Sequence, residues 1–134
     1  MSSKGLDSLV SEQHRLAGRL VLRDVFDKIR TVAGVDQAFF NNKIISAIVV
    51  CSYENTEVLE EAHSVSDVTF PYIPTFLSYR EAPAIIRTWE RLKRKPDLMI
   101  VDGQGIAHQR GMGLASHVGV LLDEIGRASC RERV

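Results

Sequence analysis

The stretch TVAGVDQAFFNNKIISAIVVCSYENTEVLEEAHSVSDV, residues 31–68, decides the fold. It contains three segments rich in valine, isoleucine, phenylalanine and threonine, namely Thr31–Phe40, Lys43–Tyr53 and Thr56–Val68. Asn41-Asn42 and Glu54-Asn55 separate them, and asparagine suits tight hairpin turns because it tolerates a left-handed backbone. β-Branched and aromatic residues favour the pleated, half-buried surface of a sheet. The stretch therefore predicts three antiparallel strands in a meander.

A helix is predicted on the amino-terminal side of this meander. Between Ser8 and Ile29, apolar residues recur near the helical period with charged residues between them. Leu9, Leu16 and Phe26 are members of this apolar series. The pattern predicts an amphipathic helix that spans the whole segment.

On the carboxyl-terminal side the chain changes character three times. Pro71-Tyr72-Ile73-Pro74 predicts a stiff loop, because each proline removes a backbone donor and forces the preceding residue into an extended conformation. Pro83 is acceptable in the first turn of a second helix. The residues after it form one apolar and one charged helical face, and this pattern predicts that the helix ends near Lys95-Pro96. Leu98–Val101 is a short apolar run typical of a buried strand, and Asp102-Gly103 ends it.

A glycine-containing loop and a third helix at Leu114–Leu122 complete the pattern. The order is helix, three antiparallel strands, helix, buried strand, helix. It predicts an α/β fold in which a mixed sheet, three antiparallel strands plus one parallel strand, is flanked by helices. No repeat, low-complexity segment or linker interrupts residues 1–123, so we expect them to form one unit.

The last eleven residues, EIGRASCRERV from Glu124 to Val134, resemble an in-frame translation of a sequencing-library adaptor. They have no periodicity and interrupt an apolar helix pattern at Asp123. We therefore expect a non-native tail that lies outside the fold, attached to a truncated gene product. The alternative is a genuine basic tail.

Composition narrows the class of protein. The chain has 134 residues, 45% of them hydrophobic, and 17 basic side chains balance 17 acidic ones. A neutral chain does not hold nucleic acid through a broad basic field, although a local basic patch is compatible with it. The sequence has no apolar run of about 18 residues and no signal-peptide layout at its start, so we expect a cytoplasmic protein that does not contact a membrane. Two cysteines, Cys51 and Cys130, cannot form a disulfide framework or a thiolate metal site.

Three carboxylates occupy positions that suit chemistry. Asp36 lies among apolar neighbours in the first strand, Asp102 ends the buried strand, and Glu81 precedes Pro83 at the predicted mouth of the second helix. Each also has a structural interpretation: an outward-facing strand residue, an Asp-Gly turn and a helix-terminal charge, respectively. If the fourth strand pairs parallel with the first, Asp36 and Asp102 come side by side, and the helix can add Glu81. Three hard oxygen ligands suit Mg²⁺ or Mn²⁺, which can assist phosphodiester hydrolysis.

Four stretches carry a family resemblance. They are Val35-Asp36, the segment from Pro71 to Pro74 with Phe76–Glu81, the segment from Pro96 to His108, and Gly113–His117. Together they resemble the endonuclease V family, and the likeness runs from about Leu9 to Asp123. Gln109 stands where the family usually has proline. Family members also continue for about as many residues again, and that second half includes a lysine and a histidine of the site.

The resemblance implies a ribonuclease H-like fold and cleavage of a phosphodiester near deaminated adenine. The implied partner is DNA containing deoxyinosine, with inosine-containing RNA as an alternative, and the implied role is DNA repair by a monomer. Asp36, Glu81 and Asp102 are implied to bind Mg²⁺, with Mn²⁺ as a substitute. His108 is implied to lie near the metal and the scissile phosphate as a catalytic residue, and Tyr72 to belong to a wedge loop that separates the strands.

The remaining candidate residues would bind the substrate. A wedge formed by Pro71, Tyr72, Ile73 and Pro74 suits a protein that unstacks a damaged base; the alternative is that Tyr72 and Ile73 pack in the core. Gly103 and Gly105 allow a ligand to approach the backbone closely. Arg80 and Arg110 are either phosphate contacts or solvated surface charges. The rival function is a catalytically inactive nucleic-acid-binding or incompletely folded fragment, since a truncated sheet leaves strand edges unpaired. For the chain as it stands, we expect no cleavage.

Overall fold

A computed structural model of the chain describes residues 2–23, 26–125 and 129–132. Within these ranges there are three helices and five strands. In chain order they are α1 (Ser3–Ala17), β1 (Thr31–Phe40), β2 (Lys43–Ser52), β3 (Val58–Asp67), α2 (Leu77–Arg91), β4 (Leu98–Val101), α3 (Leu114–Ile125) and β5 (Ser129–Glu132). None of the helices in the described ranges combines the length with the hydropathy that a bilayer crossing requires.

The strands form one mixed sheet in the order β3-β2-β1-β4-β5. β1 pairs antiparallel with β2, and β2 pairs antiparallel with β3. β4 joins the other side of β1 in the parallel direction, with Val32 opposite Leu98 and Val35 opposite Val101. The predicted α/β class and the meander with an added parallel strand are therefore confirmed.

The turn between β1 and β2 follows from its sequence. Asn41 and Asn42 both have positive φ angles, 47° and 60°. Two consecutive left-handed residues form the hairpin turn whose twist matches that of the flanking strands. This turn sets the register in which Phe40 faces Lys43 and Asp36 faces Ala47.

The core lies between one face of the sheet and helices α2 and α3. Alternate residues of β1, β2 and β4 point to this face, as the period of two in a strand requires, and they pack against apolar residues of both helices. Among them are Val35, Ile48, Ile85, Trp89, Met99, Val101 and Val118. A buried hydrogen bond of 2.7 Å between the hydroxyls of Ser64 and Thr88 fastens α2 to β3.

The first helix is shorter than its apolar pattern predicts. α1 ends at Ala17, and Gly18 follows it. The predicted helix over Ser8–Ile29 is therefore wrong for residues 18–23 and 26–29, while residues 24 and 25 lie outside the described part of the chain. Glycine is a poor helix former, and backbone hydrogen bonds from Arg19 and Leu20 tighten the chain into a turn there. Leu20 still packs with Leu16, against Met112 and Val120. The apolar pattern therefore continues past the end of the helix, because Leu20 in the turn packs in the same hydrophobic cluster as Leu16 in the helix.

The second helix begins earlier than predicted. α2 starts at Leu77, so Pro83 lies inside the helix and not in its first turn. Proline removes one helical hydrogen bond at an interior position, and packing of Ile85 and Trp89 in the core holds the helix there. Glu81 consequently lies in the second turn of α2, and the expectation that it sits at the helix mouth is wrong.

Part of the carboxyl-terminal segment belongs to the sheet. α3 continues to Ile125, and Ser129–Glu132 pair parallel with Leu98–Val101 as β5. The expectation that the segment from Glu124 onward lies outside the fold is therefore not met for these residues. Residues 126–128, 133 and 134 lie outside the described part of the chain.

Asp97 joins the beginnings of the two parallel strands. Its Oδ2 accepts hydrogen bonds from the backbone amides of Arg30 and Thr31, at 2.9 and 3.1 Å, and from the Thr31 hydroxyl at 3.3 Å. In return, the Thr31 hydroxyl accepts a bond from the Asp97 amide at 3.0 Å. The hydrogen bond from the Arg30 amide is the main reason why the pKa of Asp97 lies below its usual value.

We expect Asp97→Ala to lower the free energy of unfolding at pH 7 by about 1–2 kcal/mol, since two backbone amides lose a charged acceptor. Because folding lowers the pKa of Asp97, its stabilisation is present above the ordinary pKa of about 3.9 and is lost as the pH falls below that value. The difference between wild type and variant should therefore shrink from pH 7 to pH 3 in urea unfolding followed by Trp89 fluorescence. Asp27→Ala, at an exposed carboxylate outside the sheet, is the control; an equal loss in both variants would contradict the assignment.

Candidate active site

Two of the predicted carboxylates are brought together by the parallel strand pair. Val35 of β1 faces Val101, the last residue of β4. Asp36 and Asp102 are the residues that directly follow them in the chain. Neighbouring strands lie about 4.8 Å apart, and both aspartates are exposed. Asp36 Oδ1 also accepts a hydrogen bond of 2.9 Å from the Gln37 amide. Asp36 is thus both an outward-facing strand residue and the neighbour of Asp102.

The third carboxylate comes from helix α2. Glu81 is partly buried, and that burial is the largest cause of a pKa raised above its usual value. The positive charge of Arg80 opposes the rise, whereas the negative charges of Asp36 and Asp102 add to it. Like charges raise a carboxyl pKa only at close range. The structure therefore places all three predicted carboxylates in one electrostatic neighbourhood, beside the middle of β1 and the carboxyl end of β4.

The chemistry of this donor set fits a hard divalent cation. Three carboxylates supply oxygen ligands of the kind that Mg²⁺ and Mn²⁺ prefer, and a cation would relieve their mutual repulsion. As the side chains stand, however, no three acidic, histidine or cysteine groups in the described ranges are close enough to hold an ion together. The carboxylates converge without forming a finished ligand cluster, so binding an ion requires their side chains to reorient.

A cavity of about 540 Å³ adjoins Glu81 and Asp102. Its walls come from the proline-rich loop, from the first turns of α2, and from the loop between β4 and α3. Six of the predicted site residues line it, namely Tyr72, Pro74, Glu81, Asp102, Gly103 and His108. Ser78, Gln104 and Gly113 also line it, and the sequence patterns did not single them out as site residues. Two of the four predicted loop residues and two of the carboxylates thus share one concave surface.

Tyr72 projects from the proline-rich loop into solvent. It is 69% exposed, so the alternative in which it packs in the core is wrong. Ile73 is half-buried, and its carbonyl accepts a hydrogen bond of 3.0 Å from the Phe76 amide, whereas Pro71 and Pro74 are exposed. An exposed aromatic ring between two prolines is the geometry that a wedge needs, because the loop has little conformational freedom to lose.

Both ring nitrogens of His108 are engaged within the protein. Nδ1 accepts hydrogen bonds from the amides of Arg110 and Met112, at 3.0 and 3.3 Å. It therefore carries no proton, and Nε2 donates to the Thr75 carbonyl at 2.7 Å. His108 lines the cavity and joins two loops, and contact with a metal or phosphate would require one of these bonds to break.

The two glycines proposed as substrate contacts differ in position. Gly103 lines the cavity, and a Cβ there would lie 3.0 Å from Leu114 Cβ. Gly105 is buried and is not among the lining residues; its carbonyl accepts bonds from the amides of His108 and Gly113, at 3.4 and 3.1 Å. Gly105 therefore shapes the loop from within, and Gly103 alone of the pair is in a position to approach a ligand.

The two arginines proposed as phosphate contacts are used inside the fold. Arg80 donates to the Phe70 carbonyl at 3.2 Å, and its guanidinium lies 4.6 Å from the centre of the Phe39 ring. Arg110 donates through Nε to Gln13 Oε1 and through one terminal nitrogen to Thr75. Neither arginine lines the cavity. The sequence suggested phosphate contacts or solvated surface charges, and neither interpretation included these partners within the protein.

Sequence patterns also missed the buried pair Ser78 and His117. Ser78 Oγ lies 2.7 Å from His117 Nδ1, and Tyr79 packs edge-on against the histidine ring at 4.9 Å. The histidine is 4% exposed and therefore belongs to the core. No sequence signal links residues 39 positions apart, so this pair is visible only in the structure.

The sequence matches the family model described as Endonuclease V over residues 14–128. Among its curated relatives, an endonuclease V of Dictyoglomus turgidum is 46% identical over 120 residues, which cover 90% of this chain and 53% of that protein. The chain therefore spans about half the length of the curated relatives it matches.

Solved structures agree with this match. The catalytic domain of human endonuclease V superposes with a TM-score of 0.86 at 32% identity, covering 92% of this chain and 56% of that one. An endonuclease V of Ciona intestinalis, in complex with a 24mer DNA containing an inosine followed by a ribo-adenosine, gives a TM-score of 0.83 at 25% identity. That alignment covers 97% of this chain and 58% of the Ciona chain.

We expect Gly113→Ala to damage the cavity wall. A Cβ at this buried position would lie 2.2 Å from the Gln104 carbonyl oxygen, which is backbone and cannot simply rotate away. Overpacking of this kind costs about 1–3 kcal/mol, measurable by urea unfolding. The matched control is Gly34→Ala in β1, where a Cβ meets nothing within 4 Å; it should be neutral or stabilise by about 0.5–1 kcal/mol. Equal stabilities for the two variants would refute this packing account.

Proposed function

Because the chain belongs to the endonuclease V family, we propose that it is the part of a divalent-metal-dependent endonuclease that recognises inosine in DNA and supplies metal-binding carboxylates for cleavage of a nearby phosphodiester. One observation carries the proposal: Glu81 and Asp102 line the same cavity as the exposed Tyr72. The DNA bound to the Ciona protein contains inosine, which supports the choice of substrate.

Asp36, Glu81 and Asp102 would hold Mg²⁺, with Mn²⁺ as a substitute. When bound, such an ion lowers the pKa of a water nucleophile and stabilises the leaving oxygen. The protein's own contribution is to present three carboxylates, from the middle of β1, the end of the adjacent β4 and helix α2. Partial burial of Glu81 keeps bulk water away from one side of this group, which strengthens its interactions with charge.

Tyr72 would act on the DNA strand and not on the metal ion. Its ring is exposed at the tip of a loop in which proline occupies positions 71 and 74. An apolar wedge can unstack a base pair at a cost of a few kcal/mol, and a base that leaves the stack needs a pocket. The cavity of about 540 Å³ beside the loop is where such a base would go.

A second candidate function is binding of inosine-containing nucleic acid without cleavage. It is favoured by the arrangement of the three carboxylates, which in the described part of the chain do not stand as a finished ion site. If this second function is correct, Tyr72 and the cavity still recognise inosine, and only the cleavage of the phosphodiester is absent.

We further propose that the protein acts as a monomer in the cytoplasm, in the repair of deaminated adenine, with inosine-containing RNA as an alternative substrate. The absence of a net charge fits a protein that selects its partner through a local site.

The first test separates the two candidates by measuring binding and nicking of one duplex. A duplex with a single inosine and its adenine counterpart are incubated with the chain in Mg²⁺, in Mn²⁺ and in EDTA. Metal-dependent nicking of the inosine duplex supports the endonuclease. Preferential binding with no nicking in either metal is the result we expect from this chain taken alone. It supports the second candidate only if a full-length relative carrying the same residues also fails to nick the inosine duplex. Equal affinity for both duplexes would refute both.

Where nicking is observed, in this chain or in a full-length relative carrying the same residues, Asp36→Asn or Asp102→Asn should slow it by about 100-fold or more, because a neutral amide is a poor ligand for a hard cation. Binding of the inosine duplex in EDTA should remain. Asp123→Asn, an exposed aspartate on α3, is the control. Unchanged nicking by both site variants at saturating Mg²⁺ would disprove the metal assignment.

Tyr72→Ala should reduce the preference for the inosine duplex over the adenine duplex by about tenfold, the loss expected for one stacked aromatic ring. The melting midpoint should stay within about one degree, since the side chain is exposed. Tyr72→Phe should retain the preference because the ring is kept. Tyr53→Ala, at a tyrosine that is 58% exposed after β2, controls for loss of an exposed ring. A fall in melting midpoint with an intact preference would assign Tyr72 to packing.

A further inference from the structure

Thr75 is held in a conformation that threonine rarely adopts. Its φ angle is +71°, in the left-handed region that is strained for a β-branched residue. Such a conformation persists only where the surroundings fix it. Thr75 follows Pro74 directly and is three residues from Tyr72, so its backbone sets the direction of the exposed loop.

Three side-chain donors converge on the Thr75 carbonyl. They are Gln13 Nε2 at 3.0 Å, His108 Nε2 at 2.7 Å and a terminal nitrogen of Arg110 at 3.2 Å. The same arginine nitrogen also lies 2.7 Å from the Thr75 hydroxyl. One backbone position thus receives hydrogen bonds from α1 and from the loop between β4 and α3.

Gln13 connects the members of this group to each other. It is fully buried in α1, at 0% exposure, although it is a polar residue. Its amide nitrogen donates to Thr75 while its amide oxygen accepts from Arg110 Nε. The Arg110 guanidinium also lies 4.9 Å from the centre of the Phe76 ring. Next to Gln13, Glu12 accepts a hydrogen bond of 2.9 Å from the Tyr79 hydroxyl and so fastens α1 to α2.

We propose that Gln13 and Arg110 are positioning residues that hold Thr75 in its left-handed conformation and thereby fix Tyr72 at the rim of the cavity. Neither residue lines the cavity, and both side chains donate to Thr75, through which they act on substrate recognition. The effect on DNA recognition rests on the proposed function, whereas the effect on the loop does not.

Substitutions at Gln13 separate positioning from a contribution to stability alone. Gln13→Leu removes both hydrogen bonds of the glutamine side chain and leaves Nε of Arg110 without its acceptor. Gln13→Glu keeps an acceptor for Arg110 and turns that contact into an ion pair, which keeps the carboxylate ionised. It also replaces the donor to Thr75 with a second oxygen, which repels the carbonyl. The glutamate variant should therefore retain more stability than the leucine variant while losing the hold on Thr75.

The experiment compares Gln13→Leu, Gln13→Glu and Arg110→Lys in the chain as it stands. Arg91→Lys is the matched control, because Arg91 also donates to a backbone carbonyl, that of His63 at 2.8 Å. It lies at the last residue of α2, about 21 Å along the helix from Leu77. Three quantities are measured: the melting midpoint, the amide exchange rate of Phe76, whose N–H bonds the Ile73 carbonyl, and the affinity ratio for inosine and adenine duplexes.

We expect Gln13→Glu to melt above Gln13→Leu and yet to exchange the Phe76 amide at least as fast, about tenfold faster than wild type, the factor expected when one hydrogen bond is lost. The preference for inosine should fall by a similar factor in both variants. Arg110→Lys should behave in the same way because an ammonium cannot reach Gln13 and Thr75 together. Arg91→Lys should leave the exchange rate and the preference at their wild-type values.

The proposal is overturned if the effects on exchange and on preference follow the melting midpoint, so that the glutamate variant is milder than the leucine variant in all three measurements. It is equally overturned if the Phe76 amide exchanges at the wild-type rate in all three variants. If the wild-type chain shows no preference for inosine, the proposed function fails, and the exchange rates still decide whether Gln13 and Arg110 position the loop.

Discussion

The parallel pairing of β1 with β4 is the interaction on which the rest of the site depends. It joins residues more than 60 positions apart and sets Val35 opposite Val101, so that the next residues, Asp36 and Asp102, become neighbours. Asp97 reinforces the same pairing from the other end of the strands through hydrogen bonds to Arg30 and Thr31. A shift by one residue would turn one of the aspartates to the opposite face of the sheet. The register of four residue pairs therefore decides whether two carboxylates can cooperate.

The crossover between β3 and β4 supplies the remaining parts. Parallel strands need a long connection, and here that connection carries the proline-rich loop and α2 in succession. Because Ile85 and Trp89 anchor α2 in the core, Glu81, one turn earlier, comes near the aspartates. The element that makes the topology possible thus also brings the third carboxylate and the exposed Tyr72 to the same cavity.

Much of the polar chemistry around the cavity serves to hold loops in place. His108 and Arg110 are residue types that readily suggest catalysis and phosphate binding, yet both donate to the Thr75 carbonyl. A backbone carbonyl in a loop needs partners when water is excluded, and a left-handed threonine needs neighbours that fix it. Thr75 has both requirements, a carbonyl that needs donors and a left-handed backbone that needs to be fixed. They explain why Gln13, which is buried in α1, donates to this loop residue.

The sequence by itself determined strands β1 to β4 and the Asn41-Asn42 turn, and it singled out three acidic residues that the structure brings near one another. It could do so because alternation, turn chemistry and family motifs are properties of short segments. It placed the end of α1 and the beginning of α2 incorrectly, since Leu20 and Pro83 fit a local helical pattern whose limits are set by packing. It also kept the segment after Asp123 outside the sheet, where Ser129–Glu132 pair with β4. Only the tertiary structure decided that Tyr72 is exposed, that His108 has both nitrogens engaged and that Gln13 reaches Thr75, because hydrogen bonds between residues 62 positions apart leave no local pattern in the sequence.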